Sequence, residues 1–527
     1  MPETVTLKID DRTITAPKGT MVIEAARRAG IEVPHYCYHP YLSVAGNCRM
    51  CLVEIEKMPK LQIACSTQVA EGMVVRTGTP QALAARAGIM EFLLINHPLD
   101  CPICDQAGEC RLQEYSVAHG GGASRMEDGK THGRKNVDLG PHIVFDEERC
   151  IKCTRCIRFC DEVTKTGELA LFNRGDEAII GVFPGRQLDN PYSGNTVDLC
   201  PVGALTLREF RFQSRVWFLE RRESICTGCA RGCNATLWVR DEKIHRITPR
   251  ENPEVNKVWI CDEGRLSHQP LYAEPRLLEH LVSGSAARWE EAVREAAALL
   301  GPQRGGPRPR VGVIASPRAS LEDLFALRRL CEKTGAVSGL PAFERGRDDE
   351  ILIRSDRTSN RAGAKLLGFE RQAAEVLEAA AQGKIDVLYV MEEEIFGPHA
   401  AAAEAGLARK AAERVPALVL HAVFRSRVPE KTRVAFAAAA WGEVEGTHVN
   451  FQGRAQRTSA AVRRPGRARS HLTILSALAG AAGWGEWPSE SLPAWTEVRR
   501  SIGPLAALPE QGVGPAGAPL AGAGGGA

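Results

Sequence analysis

Apolar and polar residues alternate along the first segment of the chain, residues 4–16, on either side of the turn-like pair Asp10-Asp11. Such alternation gives a strand one apolar and one polar face, and here it predicts a β-hairpin. A short helix is predicted next, with Thr20 as its N-terminal cap and Gly30 at its end. The chain is therefore expected to begin with two strands and a helix.

Helix and strand periods continue in the middle of the chain. Residues 81–96 have helical spacing, and Pro98 ends this helix directly after His97. Residues 236–250 alternate as a second hairpin would. Residues 116–142 are rich in glycine and charge and have no apolar period, so a loop is predicted there.

Short apolar runs alternate with helical segments after about residue 285. The runs 310–316, 384–390 and 416–424 are rich in strand-forming residues, whereas residues 321–335 have helical spacing. This alternation predicts an α/β domain in the second half of the chain.

The cysteines are concentrated in the first half. Of 17 cysteines, 16 precede residue 262 and only Cys331 follows. No export signal is visible at the start, so we expect a reducing compartment, where clustered thiols usually bind metal. The 67 basic residues nearly balance the 64 acidic ones, which gives no reason to expect nucleic acid as a partner. The longest apolar run, 472–484, is too short for a direct membrane span.

Four groups of cysteines, one of them completed by a histidine, have the composition of metal sites. They are the Cys37 set (Cys37, Cys48, Cys51, Cys65), the His97 set (His97, Cys101, Cys104, Cys110), the Cys150 set (Cys150, Cys153, Cys156, Cys200) and the Cys226 set (Cys226, Cys229, Cys233, Cys261). Four such sites in one half of a chain indicate electron transfer.

Thiolates and imidazole also bind zinc, so the residues alone leave a second interpretation open. The His97 set could form a zinc knuckle and the Cys226 set a zinc ribbon, whereas the Cys37 set lacks the two tight cysteine pairs usual for structural zinc. The C-x2-C-x2-C-x3-C order at residues 150–160 matches one arm of a two-cluster bacterial ferredoxin. No second arm precedes Cys200, so Cys160 is predicted to be a spare buried thiol.

Taken together, these motifs resemble the large iron-sulfur subunit of NADH-quinone oxidoreductase, respiratory complex I. The resemblance is carried by the C-x10-C-x2-C-x13-C loop, HPLDCPICDQAGECRLQEYS, CIKCTRCIRFC with the later Cys200-Pro201, CTGCARGC followed by WICDEG, and EGTHVNFQGRAQR at residues 445–457. It implies one 2Fe-2S cluster on the Cys37 set, one 4Fe-4S cluster on each of the other three sets, and no molybdopterin.

The fold implied is an α+β and α/β multidomain chain. An N-terminal β-grasp 2Fe-2S ferredoxin domain precedes 4Fe-4S cluster domains and a reduced, degenerate molybdopterin-oxidoreductase-like α/β domain. The predicted domains are 1–80 (2Fe-2S ferredoxin-like), 81–120 (4Fe-4S domain with one histidine and three cysteines), 121–218 (4Fe-4S ferredoxin-like), 219–275 (4Fe-4S subdomain of molybdopterin-oxidoreductase type), 276–502 (degenerate α/β domain) and 503–527 (disordered tail).

The resemblance implies an electron-transfer subunit of the oxidoreductase, with no catalytic residues and no substrate site of its own. Its implied partners are a flavin- and NADH-binding subunit, a small 2Fe-2S subunit and the quinone-side subunits. The implied location is the peripheral arm of the complex, on the cytoplasmic face of the bacterial inner membrane. The Cys226 set corresponds to a cluster off the main electron path.

Two other functions remain possible from the sequence. A molybdopterin-dependent catalytic subunit of an NAD-linked formate dehydrogenase would need a cysteine to ligate its metal, and the only candidate is Cys331, which falls on the apolar face of a predicted helix. An electron-transfer subunit of a soluble NAD-linked hydrogenase would share the first half, but such chains typically end near the third cluster. Metal content would separate the formate dehydrogenase from the others.

Overall fold

The computed structural model describes residues 3–302 and 306–521. The chain divides into two compact units, Met1–Leu219 and Glu220–Ala527. This division falls one residue from the boundary predicted at 218/219.

The first unit contains ten strands and five helices in its described part. The strands are β1 (Thr4–Ile9), β2 (Arg12–Pro17), β3 (Leu52–Ile55), β4 (Gln62–Ile63), β5 (Val74–Arg76), β6 (Val137–Asp138), β7 (Ile143–Phe145), β8 (Leu169–Phe172), β9 (Ile179–Val182) and β10 (Leu205–Leu207). The helices are α1 (Val22–Arg28), α2 (Pro80–Leu94), α3 (Arg111–His119), α4 (Arg155–Glu162) and α5 (Asn195–Leu199).

A five-stranded sheet with the order β2-β1-β5-β3-β4 forms the start of this unit. The predicted hairpin is confirmed: β1 and β2 pair in antiparallel register from Thr4 opposite Pro17 to Ile9 opposite Arg12. The apolar positions of β1 are buried in the core of this domain because alternate residues of a strand point to one face. Helix α1 contributes Val22, Ile23, Ala25 and Ala26 to the same core.

The ends of two predicted elements need correction. The N-cap of α1 is Met21 and not Thr20, and it makes no side-chain cap hydrogen bond. Gly30 does follow the helix with φ of +71°, a conformation that glycine adopts without a side-chain clash. The predicted loop at 116–142 begins later than expected, because α3 continues to His119.

The second unit contains thirteen strands and nine helices in its described part. The strands are β11 (Glu220–Ile225), β12 (Asn234–Arg240), β13 (Lys243–Pro249), β14 (His280–Val282), β15 (Ser285–Ala287), β16 (Val311–Ile314), β17 (Val337–Gly339), β18 (Val387–Val390), β19 (Ala417–Ala422), β20 (Val434–Ala437), β21 (Gly446–Val449), β22 (Arg454–Thr458) and β23 (Ala518–Pro519). The helices are α6 (Asp262–Leu266), α7 (Pro270–Ala273), α8 (Trp289–Leu300), α9 (Leu321–Thr334), α10 (Arg361–Leu366), α11 (Ala373–Ala381), α12 (Ala402–Arg414), α13 (His471–Ala481) and α14 (Ser491–Ser501).

A seven-stranded sheet with the order β15-β14-β20-β19-β18-β16-β17 is the centre of this unit. Strands β17, β16, β18, β19 and β20 are parallel. Every residue of β16, β18 and β19 is buried, as expected for parallel strands covered on both faces. These three strands lie within the predicted apolar runs, so the α/β prediction is confirmed.

The prediction of a disordered tail after Gly503 is wrong for the part that the structure describes. The segment 503–521 packs on the second unit, and β23 pairs with β22. The backbone N–H of Leu520 donates to the carbonyl of Gly453 at 2.9 Å, and the Asn234 side chain donates to the carbonyl of Pro515 at 2.8 Å. The few large apolar residues of this segment are all buried: Leu505, Leu508, Val513 and Leu520. Residues 522–527 lie outside the described residues.

None of the helices within residues 3–302 and 306–521 is both long enough and apolar enough to cross a membrane.

Candidate iron-sulfur sites

The Cys37 set lies in the loop between α1 and β3 and in the turn after β4. Its thiols form two hydrogen-bonded pairs, Cys37 with Cys48 and Cys51 with Cys65. Within each pair the shared proton lowers the pKa of one thiol and raises that of the other; the pKa of Cys37 falls to about 5. Gly46, with φ of +61°, gives the loop a left-handed turn at this site. The structure therefore brings all members of this set together.

Helix α2 leads to His97. The Thr79 side chain accepts from the N–H of Ala82 at 3.3 Å and caps the helix, which begins at Pro80. His97 follows the helix end and is half-buried. Burial and the nearby cations of Arg149 and Lys130 lower its pKa to about 4. The imidazole is therefore neutral at pH 7, which is the form that ligates metals.

The three cysteines of the His97 set differ in exposure. Cys101 is exposed, whereas Cys104 and Cys110 are buried. The Cys110 thiol lies 3.8 Å from the carbonyl of Pro201. A Cβ atom added at Gly203 would stand only 2.2 Å from the Cys104 sulfur, so the chain after Cys200 forms a close cradle for these thiols.

The Cys150 set lines one cavity, with about 310 Å³ of empty space. Cys150 and Cys153 precede α4, Cys156 lies in its first turn, and Cys200 follows α5. Burial and the proximity of the other thiols raise the pKa of Cys150 to about 12 and that of Cys153 to about 11. Buried thiols that resist ionisation together are suited to a cationic iron core, because metal binding deprotonates a coordinating thiol.

Cys160, on the same helix, is fully buried but does not belong to the described lining of this cavity. Burial and the carboxylates of Glu168 and Asp161 raise its pKa to about 12. The expectation of a spare, buried thiol agrees with this position.

The Cys226 set lines a second cavity, with about 290 Å³ of empty space. Cys226 follows β11, and Cys261 stands at the start of α6, where its sulfur accepts from the N–H of Gly264 at 3.3 Å. A Cβ atom at Gly264 would lie 2.9 Å from the Cys226 sulfur. The predicted hairpin beside this set is β12 and β13, and it joins β11 in a three-stranded sheet.

These cavities and cradles fit a cluster in size and in donor chemistry. Among residues 3–302 and 306–521, no group of three or more His, Cys, Asp or Glu side chains is placed to hold a single metal ion. A cluster places its ligands around a core of several iron and sulfide ions, so its ligands need not meet at one point.

Three arginines beside the ligands were not singled out from the sequence. Arg155 and Arg158 on α4 donate to backbone carbonyls of the Cys37 loop, and Arg149 binds the carboxylate of Asp100. The only signal in the sequence is their position, within or next to the motif CIKCTRCIRFC.

The carboxyl edge of the parallel sheet in the second unit holds a buried polar network. The Ser316 hydroxyl donates to the Glu392 carboxylate, which lies 3.4 Å from His471 Nε2. His471 Nδ1 lies 2.9 Å from His421 Nδ1, and His421 Nε2 lies 2.5 Å from the Tyr389 hydroxyl. Side chains therefore fill the sheet edge at which α/β proteins usually bind ligands.

Cys331 packs elsewhere in this unit. It lies on α9, partly buried against the main apolar cluster of the unit. Burial raises its pKa to about 12. This position agrees with the interpretation of Cys331 as a core thiol.

Five family models match the chain, and four of them each contain one ligand set. They are the 2Fe-2S iron-sulfur cluster binding domain at residues 2–80, the NADH-ubiquinone oxidoreductase-G iron-sulfur binding region at 86–125, the ferredoxin-like domain of NADH-quinone oxidoreductase subunit 3 at 140–206, the molybdopterin oxidoreductase Fe4S4 domain at 219–273 and molybdopterin oxidoreductase at 354–481. The predicted fold class is confirmed, and iron-sulfur clusters are supported as cofactors.

Curated relatives agree with these domains. The G subunit of NADH-quinone oxidoreductase from Rickettsia felis is 40% identical over 335 residues, which cover 63% of this chain and 49% of the relative. The mitochondrial NADH-ubiquinone oxidoreductase 78 kDa subunit of Neurospora crassa is 41% identical over 380 residues, covering 70% of this chain and 50% of the relative. The chain thus spans about half the length of these curated relatives.

A chain of a solved NAD+-reducing [NiFe]-hydrogenase aligns with 40% of this chain and 91% of its own length, at 28% identity and a TM-score of 0.37. That score is below the range in which two chains share an overall fold. In sequence and in the order of its domains, the chain is related to the large iron-sulfur subunit of NADH-quinone oxidoreductase.

Proposed function

We propose that this chain is an electron-transfer subunit of an NADH-quinone oxidoreductase. It would carry electrons from a flavin-bearing, NADH-oxidising partner toward quinone. The observation that carries this proposal is the succession of three ligand sets within one compact unit, with direct contacts between neighbouring sets. Arg158 bonds the carbonyls of Cys37 and Cys153, and the Cys110 thiol lies against Pro201.

The ligand assignment follows the sets as defined. The Cys37 set would hold one 2Fe-2S cluster, and the His97, Cys150 and Cys226 sets would each hold one 4Fe-4S cluster. The support is burial of the thiols, the two cysteine-lined cavities and the close glycines beside the sulfurs. Such clusters, when bound, accept and release one electron at a time.

The chain's own residues tune and protect these sites. Backbone N–H groups of Lys152, Gly228 and Gly264 donate to ligand sulfurs at 3.3–3.4 Å. Hydrogen bonds to sulfur stabilise the more negative, reduced state, and burial limits water access. No acid, base or nucleophile is required of this chain, since its task is to hold and space redox centres.

The partners and the location follow from the same proposal. The chain would contact a flavin- and NADH-binding subunit, a small 2Fe-2S subunit and quinone-side subunits in the peripheral arm, on the cytoplasmic face of a bacterial inner membrane. The Cys226 set would lie off the main electron path.

We propose further that the second unit holds no molybdopterin. The network from Ser316 to Tyr389 occupies the carboxyl edge of its parallel sheet. A formate dehydrogenase would need a thiol at its metal, and Cys331 instead packs against the main apolar cluster.

Metal analysis and paramagnetic resonance of the assembled complex test this function. We expect iron and acid-labile sulfide in amounts that match one 2Fe-2S and three 4Fe-4S clusters on this chain, and reduced-cluster signals of both types. Molybdenum or tungsten bound to the chain would overturn the proposal in favour of a formate dehydrogenase. Zinc in place of iron would overturn it in favour of a structural protein.

A further inference from the structure

Arg158 joins the Cys37 and Cys150 sets through a single guanidinium group. Its Nη2 donates to the carbonyl of Cys37 at 2.6 Å and to the carbonyl of Cys153 at 3.3 Å, while Nη1 donates to the carbonyl of Ser43. The first and last of these carbonyls belong to the loop of one set, and Cys153 belongs to the other. Residues 115 to 121 positions apart are thereby fixed to one another.

Arg155, one turn earlier on α4, makes a second link between the same sets. Nη2 donates to the carbonyl of Tyr38, next to Cys37, and Nη1 donates to the carbonyl of Leu199, next to Cys200, at 3.2 Å. Burial lowers the pKa of Arg155, and the thiols of Cys153, Cys200 and Cys37 act against this effect. This cation therefore interacts electrostatically with thiols of both sets.

The balance of charge at this junction is positive. Among the described residues, the guanidinium hydrogen bonds of Arg155 and Arg158 go to neutral oxygens, either backbone carbonyls or the Thr154 hydroxyl. One carboxylate, Glu162, stands on the same helix and accepts from the N–H of Ser43 at 2.8 Å and from its hydroxyl. Two cations and one anion leave a net positive charge beside both sets.

We propose that Arg155 and Arg158 are positioning residues for electron transfer between the Cys37 and Cys150 sets. They hold the two ligand segments at a fixed separation, and their charge raises the reduction potential of both clusters. The inference rests on the proposed function. The step concerned is the passage of one electron from one reduced centre to its oxidised neighbour, with no bond formed or broken.

Two physical effects support this assignment. An added electron makes a cluster more negative, so a nearby cation stabilises the reduced form and raises the potential, most strongly in a buried site. Electron tunnelling depends steeply on the distance between centres, and bidentate guanidinium contacts restrict that distance more tightly than a single flexible ammonium would.

The test is a redox titration of the assembled complex, followed by paramagnetic resonance, for wild type, R158Q, R158K and R155Q. Iron and sulfide content is measured for each. We expect the midpoint potentials of both clusters to fall in R158Q and R155Q, and R158K to restore most of the potential. The magnetic interaction between the two reduced clusters should weaken or broaden in R158Q and in R158K, since lysine keeps the charge but not the bidentate contact.

Arg76→Gln is the matched control, because Arg76 lies in the same unit but is exposed and paired with Glu56. We expect no change of either potential in this variant. Unchanged potentials and an unchanged magnetic interaction in R158Q would overturn the inference. If R158Q does not retain both clusters, R155Q decides by the same criterion on potentials.

A failure of the proposed function gives a different result. In that case wild type itself would lack the 2Fe-2S and 4Fe-4S signals. Clusters present with normal content but insensitive to both arginine substitutions would leave the function in place and refute only the role of Arg155 and Arg158.

Discussion

The Arg149 guanidinium binds the Asp100 carboxylate through two nitrogens, at 2.8 and 3.1 Å from the same oxygen. Arg149 directly precedes Cys150 and Asp100 directly precedes Cys101, so this ion pair joins the Cys150 set to the His97 set. Asp146 also lies 3.3 Å from the Arg149 guanidinium, and Lys135 lies 2.5 Å from Asp100. The second junction of the proposed relay is therefore a nearly buried charge network.

Asp100→Asn should destabilise this junction. The substitution leaves the buried Arg149 with a weaker partner, and hydrogen bonds to charged groups contribute about 1.5–3 kcal/mol. We expect a loss of that size, measured from the urea dependence of cluster absorbance in the complex. Asp138→Asn is the control, because Asp138 forms an exposed pair with Arg208 and should change stability little. Equal effects of the two substitutions would contradict the structural importance of the Asp100 pair.

Gly203→Ala should disturb the His97 set. The new methyl group would meet the Cys104 sulfur at 2.2 Å, so either the thiol or the segment after Cys200 has to move. We expect iron and sulfide to fall by up to one 4Fe-4S cluster, with loss of the corresponding resonance signal. Gly78→Ala is the matched control, since a methyl group added there would have no neighbouring atom within 4 Å. Full cluster content in Gly203→Ala would show that this close contact is not needed.

Cys233→Ser should remove one 4Fe-4S cluster and spare electron flow from NADH. The reason is that the Cys226 set is proposed to lie off the main path. NADH oxidation is measured per assembled complex, together with iron content. A decrease in turnover greater than the loss of assembled complex would refute the off-path assignment.

His471→Gln should lower stability in a pH-dependent way. Burial lowers the pKa of His471, but the Glu392 carboxylate outweighs this effect and the net pKa is raised above 6.5. Burial raises the pKa of Glu392, but the hydrogen bond from His471 outweighs it and the net pKa is lowered below 4.5.

The raised His471 pKa stabilises the fold below pH 6.5, and this contribution is lost as pH rises through the folded-state pKa. The lowered Glu392 pKa stabilises the fold above pH 4.5, and this contribution is lost as pH falls through the folded-state pKa. Both are fully present between pH 4.5 and 6.5, so the loss of Tm in His471→Gln should be largest there and smaller at about pH 8.5 or above. His399→Gln, at an exposed position, is the control. A loss of Tm that is the same at all pH values would contradict a charged His471–Glu392 pair.

Local patterns predicted much of this molecule. The hairpin β1–β2 follows from alternation, because each strand has one buried face, and β16, β18 and β19 follow from their apolar runs. The cysteines of each ligand set were proposed from spacing, since most of them lie close together in the chain. The tail after Gly503 was predicted incorrectly, because four buried apolar residues and a strand pairing to β22 order it without any regular period.

The contacts between sets were beyond reach of the sequence for a different reason. Arg158 and Cys37 are 121 positions apart, and His421 and His471 are 50 positions apart. No periodicity connects such residues, and a buried arginine that binds carbonyls looks the same in sequence as a solvated one. Only the folded chain shows which of the 67 basic residues stand beside the ligands.

His97→Cys tests the central claim, that this chain is an iron-sulfur relay. A thiolate in place of the neutral imidazole makes the cluster more anionic, so an added electron is less favourable and the potential falls. The measurement is a redox titration of the assembled complex followed by paramagnetic resonance, with iron, sulfide and zinc counts, for wild type, His97→Cys and the exposed control His132→Cys. We predict that His97→Cys keeps its metal content and lowers the potential of one 4Fe-4S cluster, while His132→Cys changes none. Unchanged potentials for every cluster in His97→Cys, or zinc in place of iron at this site, would contradict the account.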